Sequence, residues 1–211
     1  MFSPSREIFR RYTDAETFDK IVEMESVSEL WARCIKEFPQ QTAIEDNGVS
    51  YTYEQLDRDA ALLRSLLKKE TAAPRRIGIF APNSYDFVKA FLAAATFGAC
   101  AVILPAQLDE TSVFGCCMKY GIDTLVYAPE LSDQTKLAAA KRPDLLLIAA
   151  DASGEEPAPM VFPKAEDPCA IMFTGGTTGK SKGALLSNGA VMQGVVNGCS
   201  RPHWQGKSRV V

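Results

Sequence analysis

The chain has 211 residues, 46% hydrophobic, 23% charged and 9% aromatic, the mix of an ordinary globular protein. Lys and Arg number 23 against 26 Asp and Glu, and the resulting net charge of −3 argues against a protein built to grip a nucleic-acid backbone. No apolar run approaches the length of a bilayer span, and the N-terminal stretch MFSPSREIFRRYTDAETF has charges where an export signal needs its apolar core, which together predict a cytoplasmic protein.

Residues 1–26 are polar, with short apolar bits at Ile8, Phe9, Tyr12 and Phe18, and are expected to form a partly helical N-terminal arm ahead of a domain spanning 27–211. Val27, Leu30, Trp31, Cys34, Ile35 and Phe38 recur at helical spacing, so 27–38 is predicted as a helix capped by Ser26 or Ser28 and ended by Pro39. TAIED and VSYTY flank Asn47-Gly48, the strongest two-residue hairpin signal. Leu56, Ala60, Leu63, Leu66 and Leu67 then mark a helix over 53–69, with Thr52 and Gln55 in a capping-box pattern.

Strands and helices now alternate. Strands are predicted at 75–81, 99–105, 124–128 and 144–150, and helices at 84–98, 109–120 and 130–142. Ser84 reads as a helix cap, Gly98 as a helix stop, and Arg75 and Arg76 as solvated. Near-continuous apolar strands between helices predict an α/β fold: three layers, with a mostly parallel sheet flanked by helices. Residues 151–168 read as a surface connection with a short strand at Met160–Phe162. CAIMFT (169–174) and GALLS (183–187) are predicted strands, and 189–199 a glycine-interrupted helix.

Six cysteines, Cys34, Cys100, Cys116, Cys117, Cys169 and Cys199, sit mostly among apolar neighbours without a C-x-x-C pair, and the one histidine is His203. They are expected to be buried thiols of a reducing compartment, not metal ligands or disulfides. His203, beside Trp204, is expected to have a surface or packing role.

The stretch Phe173-Thr174-Gly175-Gly176-Thr177-Thr178-Gly179-Lys180-Ser181-Lys182-Gly183 follows a buried strand. Its glycines let successive backbone N–H groups converge on an anion, its threonines add hydroxyl donors, and its lysines add charge. The same composition also suits a surface turn. Gly179-Lys180-Ser181 is similar to the end of a Walker-type P-loop, but that motif needs glycine where Thr174 stands and a helix directly after the lysine. A Walker-type NTPase is therefore the alternative, together with a non-catalytic interaction module.

The stretch resembles the signature [YF]-T-S-G-T-T-G-x-P-K-G of the adenylate-forming enzymes: acyl- and aryl-CoA synthetases, luciferases and the adenylation domains of peptide synthetases. Phe173, Thr174, Gly176, Thr177, Thr178, Gly179, Lys182 and Gly183 match in place. VSYTYEQLDRDAALLRSL (49–66) and the segment IGIFAPNSYDFVKAFLAAATFGACAVILP resemble further family motifs in the right order. Gly175 replaces the family serine, Ser181 the proline, and Asn188 the histidine after Ser187.

The resemblance implies the N-terminal subdomain of the acyl-CoA synthetase-like fold, with the C-terminal half of the enzyme absent. It implies a loop on the β- and γ-phosphates of ATP, formed by Thr174, Gly175, Gly176, Thr177, Thr178, Gly179 and Lys182, with no catalytic residue and no metal ligand in this chain. It implies an AMP-forming acid–thiol ligase using ATP, Mg²⁺ and coenzyme A, none of which is expected to bind this chain tightly. The expected partners are the missing half of the enzyme and a carboxylic acid. The chain is expected to be inactive alone, its loop poorly ordered without nucleotide, and an exposed apolar surface is expected to favour self-association.

Overall fold

Asn47 and Gly48 both take positive φ, 49° and 79°, the geometry that closes a two-residue hairpin between β1 (Thr42–Asp46) and β2 (Val49–Thr52). The computed structural model describes residues 15–67, 75–174 and 182–199. Before the hairpin lie α1 (Ala15–Val22) and α2 (Val27–Glu37). Ser26 caps α2 by accepting the Glu29 N–H, which decides between the two candidate serines.

After the hairpin comes α3 (Tyr53–Leu67). Thr52 Oγ1 accepts the Gln55 N–H at 3.2 Å while Gln55 Oε1 accepts the Thr52 N–H at 2.8 Å, the reciprocal pair that the capping-box pattern predicts. The alternating region follows as β3 (Arg76–Phe80), α4 (Tyr85–Thr96), β4 (Cys100–Leu104), α5 (Glu110–Tyr120), β5 (Thr124–Tyr127), α6 (Ser132–Ala139) and β6 (Leu146–Ala149). Ser84 caps α4, and Gly98 turns the chain into β4 at φ 79°. The last elements are β7 (Pro168–Thr174), β8 (Lys182–Ser187) and α7 (Asn188–Cys199).

β3 to β8 form one sheet in the order β6-β5-β3-β4-β7-β8. The first five pair in parallel and β8 runs antiparallel to β7 along the edge. Ile77, Ile79, Ala101 and Val126 face α2, α3 and α4, whereas Phe80, Val102, Leu104 and Leu125 face α5 and α6. Both faces are covered, so the strands read as continuous apolar runs. The three-layer, mostly parallel architecture expected from the sequence is the one observed.

Two expectations fail. Arg75 is not solvated: its guanidinium is buried and donates to Asp123 Oδ1 at 3.1–3.2 Å, to the Leu67 carbonyl and to Thr124 Oγ1. Arg76 is the exposed one of the pair. Residues Met160–Phe162 form no strand. The connection after β6 is instead a strap fastened along α3 and α4. The N–H groups of Gly154, Ala158 and Val161 donate to the carbonyls of Leu62, Ala61 and Thr96 at 3.2, 3.1 and 2.8 Å. Arg64, 2% exposed, reaches from α3 to the Ala158 carbonyl with Nε at 3.0 Å and Nη2 at 2.5 Å, and to Thr96 Oγ1 with Nη1.

Candidate functional site

In this sheet β3 continues through α4 on one face to β4, and β4 continues through α5 on the other face to β5, which lies on the far side of β3. The strand order therefore reverses between β3 and β4, and the crevice beyond their carboxyl ends is where open α/β sheets bind ligands. Pro82 and Asn83 follow β3 at this end, and Pro105, Ala106 and Gln107 follow β4. Asn83 and Gln107 are exposed. Gln107 comes to this crevice through its place just after the Leu104-Pro105 strand end.

β7 is the parallel neighbour of β4, so its carboxyl end opens at the same edge. There Thr174 pairs with Lys182 and Phe173 with Gly183, forming a two-stranded neck. The Thr174 hydroxyl donates to the Lys182 carbonyl at 3.2 Å across the mouth. Both Thr174 and Lys182 are exposed. Gly175, Gly176, Thr177, Thr178 and Gly179 lie outside the described residues, as do Lys180, Ser181 and the expectation of a poorly ordered loop. So do His203 and Trp204.

Behind the mouth, Phe173 meets the Tyr120 ring edge-on, with centroids 5.2 Å apart at 88°. The Gly183 N–H donates to the Tyr120 hydroxyl at 3.0 Å. A Cβ on Gly183 would stand 2.7 Å from Ile171 Cγ2 and 2.8 Å from Tyr120 Cε1, so this position needs glycine for close approach.

Lys182 begins a strand, not a helix, and α7 starts only at Asn188. The Walker-type alternative takes Lys180 as its lysine and needs a helix directly after it; a strand begins two residues later, at Lys182, which argues against the NTPase alternative. Asn188 is buried. Its Nδ2 donates to the Asp167 carbonyl at 3.2 Å and its Oδ1 faces the Val27 N–H at 3.4 Å, so it joins α7 to the start of α2.

Other polar groups at this end are already engaged. Tyr85 donates its N–H to Asp46 Oδ2 at 2.9 Å and its hydroxyl to Asp59 Oδ2 at 2.7 Å, and its ring stacks on Tyr51 at 3.8 Å. Burial, and then the Asp59 carboxylate, hold its phenol protonated well above the ordinary tyrosine range. Asp109 caps α5 by accepting the Ser112 N–H at 2.8 Å, and that bond holds its carboxyl below the ordinary range.

None of Cys34, Cys100, Cys116, Cys117 and Cys169 is in a disulfide. Burial pushes Cys117 and Cys169 up to about 11, which keeps them protonated at neutral pH and poor nucleophiles. Among the described residues no three His, Cys, Asp or Glu side chains converge as a metal site, and no helix is long and apolar enough to cross a membrane. A shallow concavity of about 370 Å³ is lined by Phe114, Met118, Gly121, Lys141 and Arg142, between the end of α5 and the segment that enters β6.

Comparison with known proteins gives the same direction. The profile of the family described as AMP-binding enzyme matches residues 31–211. A feruloyl-CoA synthase of Amycolatopsis sp is 31% identical over 163 residues, covering 75% of this chain and 33% of that protein. A medium-chain fatty-acid–CoA ligase of Escherichia coli is 27% identical over 208 residues, covering 85% of this chain and 36% of that protein. The inhibitor-bound N-terminal domain of FACL13 from Mycobacterium tuberculosis superposes with a TM-score of 0.65 at 23% identity, covering 78% of this chain and 45% of that one. The chain thus spans about a third of the length of these two curated relatives.

Proposed function

The chain belongs to the AMP-binding enzyme family, and we propose that it is the ATP-phosphate-gripping part of a ligase that activates a carboxylic acid as an acyl-adenylate and then passes the acyl group to a thiol, most often that of coenzyme A. The observation that carries this reading is the neck: a loop of the family's composition leaves β7 and returns at β8, at the carboxyl end of the sheet, with Thr174 and Lys182 exposed at its mouth.

In the first step a carboxylate oxygen bonds to the α-phosphorus of ATP and the bond to the departing pyrophosphate breaks. In the second a thiol sulfur bonds to the acyl carbon and AMP leaves. Thr174, Gly175, Gly176, Thr177, Thr178, Gly179 and Lys182 hold the β- and γ-phosphates, so their work is positioning and charge stabilisation. Mg²⁺, bound with ATP, would neutralise phosphate charge. The acid and coenzyme A would be met largely by the rest of the enzyme, with exposed Met172 and Leu185 on the β7–β8 hairpin offering it apolar surface, or favouring self-association without it.

The test is carboxylate-dependent ATP–pyrophosphate exchange with a broad acid panel. In the enzyme that carries this chain at its N-terminus, Lys182→Ala should lower adenylation by about 10- to 100-fold, the worth of one charge-assisted contact. Unchanged kinetics would remove Lys182 from the site. The 211-residue chain alone should be silent, because alignment of all reactants supplies much of the rate. Turnover clearly above its own Lys182→Ala control would refute that silence.

A further inference from the structure

We propose that Tyr120 is a positioning residue for the 175–181 loop: its hydroxyl and ring fix the two strands from which the loop leaves, and so set the spacing of Thr174 and Lys182 at its mouth. The inference rests on the reading of that loop as a phosphate grip, and it goes beyond the motif, because Tyr120 lies 63 residues before Gly183.

Three contacts converge on this one side chain. The Gly183 N–H must find an acceptor, and it finds the Tyr120 oxygen at 3.0 Å. The ring occupies the space that a Cβ at Gly183 would fill. The same ring stands edge-on to Phe173, an arrangement aromatic pairs favour. Phe173 and Gly183 are register partners directly behind Thr174 and Lys182, so Tyr120 touches both sides of the neck one residue before the loop begins.

The seat of Tyr120 is itself anchored. It is the last residue of α5, and Gly121 ends that helix in the left-handed conformation at φ 60°. The Tyr120 carbonyl accepts from Arg76 Nη1 at 2.8 Å, which links it to β3 at the centre of the sheet. The neck, by contrast, lies past the two residues at which β7 pairs with β4, Ala170 and Ile171. Tyr120 therefore connects the mouth of the loop to the sheet centre where the ladder no longer does. Phenylalanine would keep the ring and lose the acceptor, which separates packing from positioning.

The experiment follows backbone amides by NMR in the 211-residue chain, as wild type, Tyr120→Phe and Tyr120→Leu, with Arg64→Met as a stability control on the opposite face of the sheet. Each is titrated with a non-hydrolysable ATP analogue and Mg²⁺ into the millimolar range, and Gly183 hydrogen exchange and Tm are recorded. Tyr120→Phe should speed Gly183 exchange and raise the analogue Kd by about three- to tenfold, the worth of one net hydrogen bond, while Arg64→Met lowers Tm and leaves Kd unchanged. Tyr120→Leu should raise Kd at least as much. No shift of loop amides in the wild type would overturn the phosphate-grip reading and the role of Tyr120 with it. Wild-type binding with the same Kd in Tyr120→Phe would overturn the role of Tyr120 alone. Weaker binding with Gly183 exchange unchanged would also overturn it, because the hydrogen bond would not be the route.

Discussion

Arg64→Met is the sharpest test of how the strap after β6 is held. The wild-type guanidinium is 2% exposed and spends three of its donors on the Ala158 carbonyl and Thr96 Oγ1. Methionine keeps the unbranched stem, so little cavity forms, but the Ala158 carbonyl loses its partner. Stranding such an acceptor costs about 1–3 kcal/mol. Relief works the other way: burial holds the Arg64 guanidinium below its ordinary range, with only partial compensation from Asp57, so removing the charge returns some desolvation energy. Thr96 is not stranded, since its hydroxyl still donates to the Leu92 carbonyl at 2.5 Å. The net loss should be about 1–2 kcal/mol, or about 2–8 °C in Tm for a chain of this size. Arg64→Ala should lose more, by about 1–3 kcal/mol, because it also leaves a cavity. The assay is thermal unfolding paired with hydrogen exchange at Ala158 and Val161, whose amides donate to Ala61 and Thr96. Unchanged Tm with unchanged exchange at both amides would show that the strap is held without Arg64.

Gly183→Ala should destabilise by about 1–3 kcal/mol through overpacking against Ile171 and Tyr120, read as a lower denaturant midpoint with unchanged m value; equal midpoints would refute the close approach. Cys117 and Cys169 should resist iodoacetamide at pH 8 until the chain unfolds, because burial keeps both thiols protonated, with mass spectrometry as the readout and rapid native labelling as the contrary result. The depressed Asp109 carboxyl contributes helix-capping stability that is complete above the ordinary aspartate range and lost as pH falls through its lower folded value. Asp109→Asn keeps the cap without the titration, so amide exchange in the first turn of α5 should rise with acid in the wild type and stay flatter in the variant.

What the sequence made legible was local chemistry. Asn47-Gly48, the Thr52–Gln55 pair, Ser84 and Gly98 each fix structure through groups within a few residues, and each appears where the string places it. Arg75 shows the limit. Two arginines before a strand look alike in sequence, and only the fold brings Asp123 and Thr124, 48 and 49 residues on, to one of them. The strand expected at Met160–Phe162 failed for a related reason: β-branched and aromatic residues were present, but the Val161 N–H found the Thr96 carbonyl at the end of α4 instead of a ladder. At the site, the motif from Phe173 to Gly183 was readable because it is contiguous. Tyr120 was not, because nothing near it in the chain hints at a partner 63 residues away.

The unequal pairing of β7 has a mechanical consequence. Its register with β8 runs from Pro168 to Thr174, whereas its register with β4 covers only Ala170 and Ile171. A two-stranded ribbon clamped near its base behaves as a cantilever, and its free end swings without breaking a single ladder bond to the sheet. Tyr120 sits under that free end, so the stiffness of the proposed phosphate grip would be set less by the sheet than by one phenol borrowed from a helix on its face.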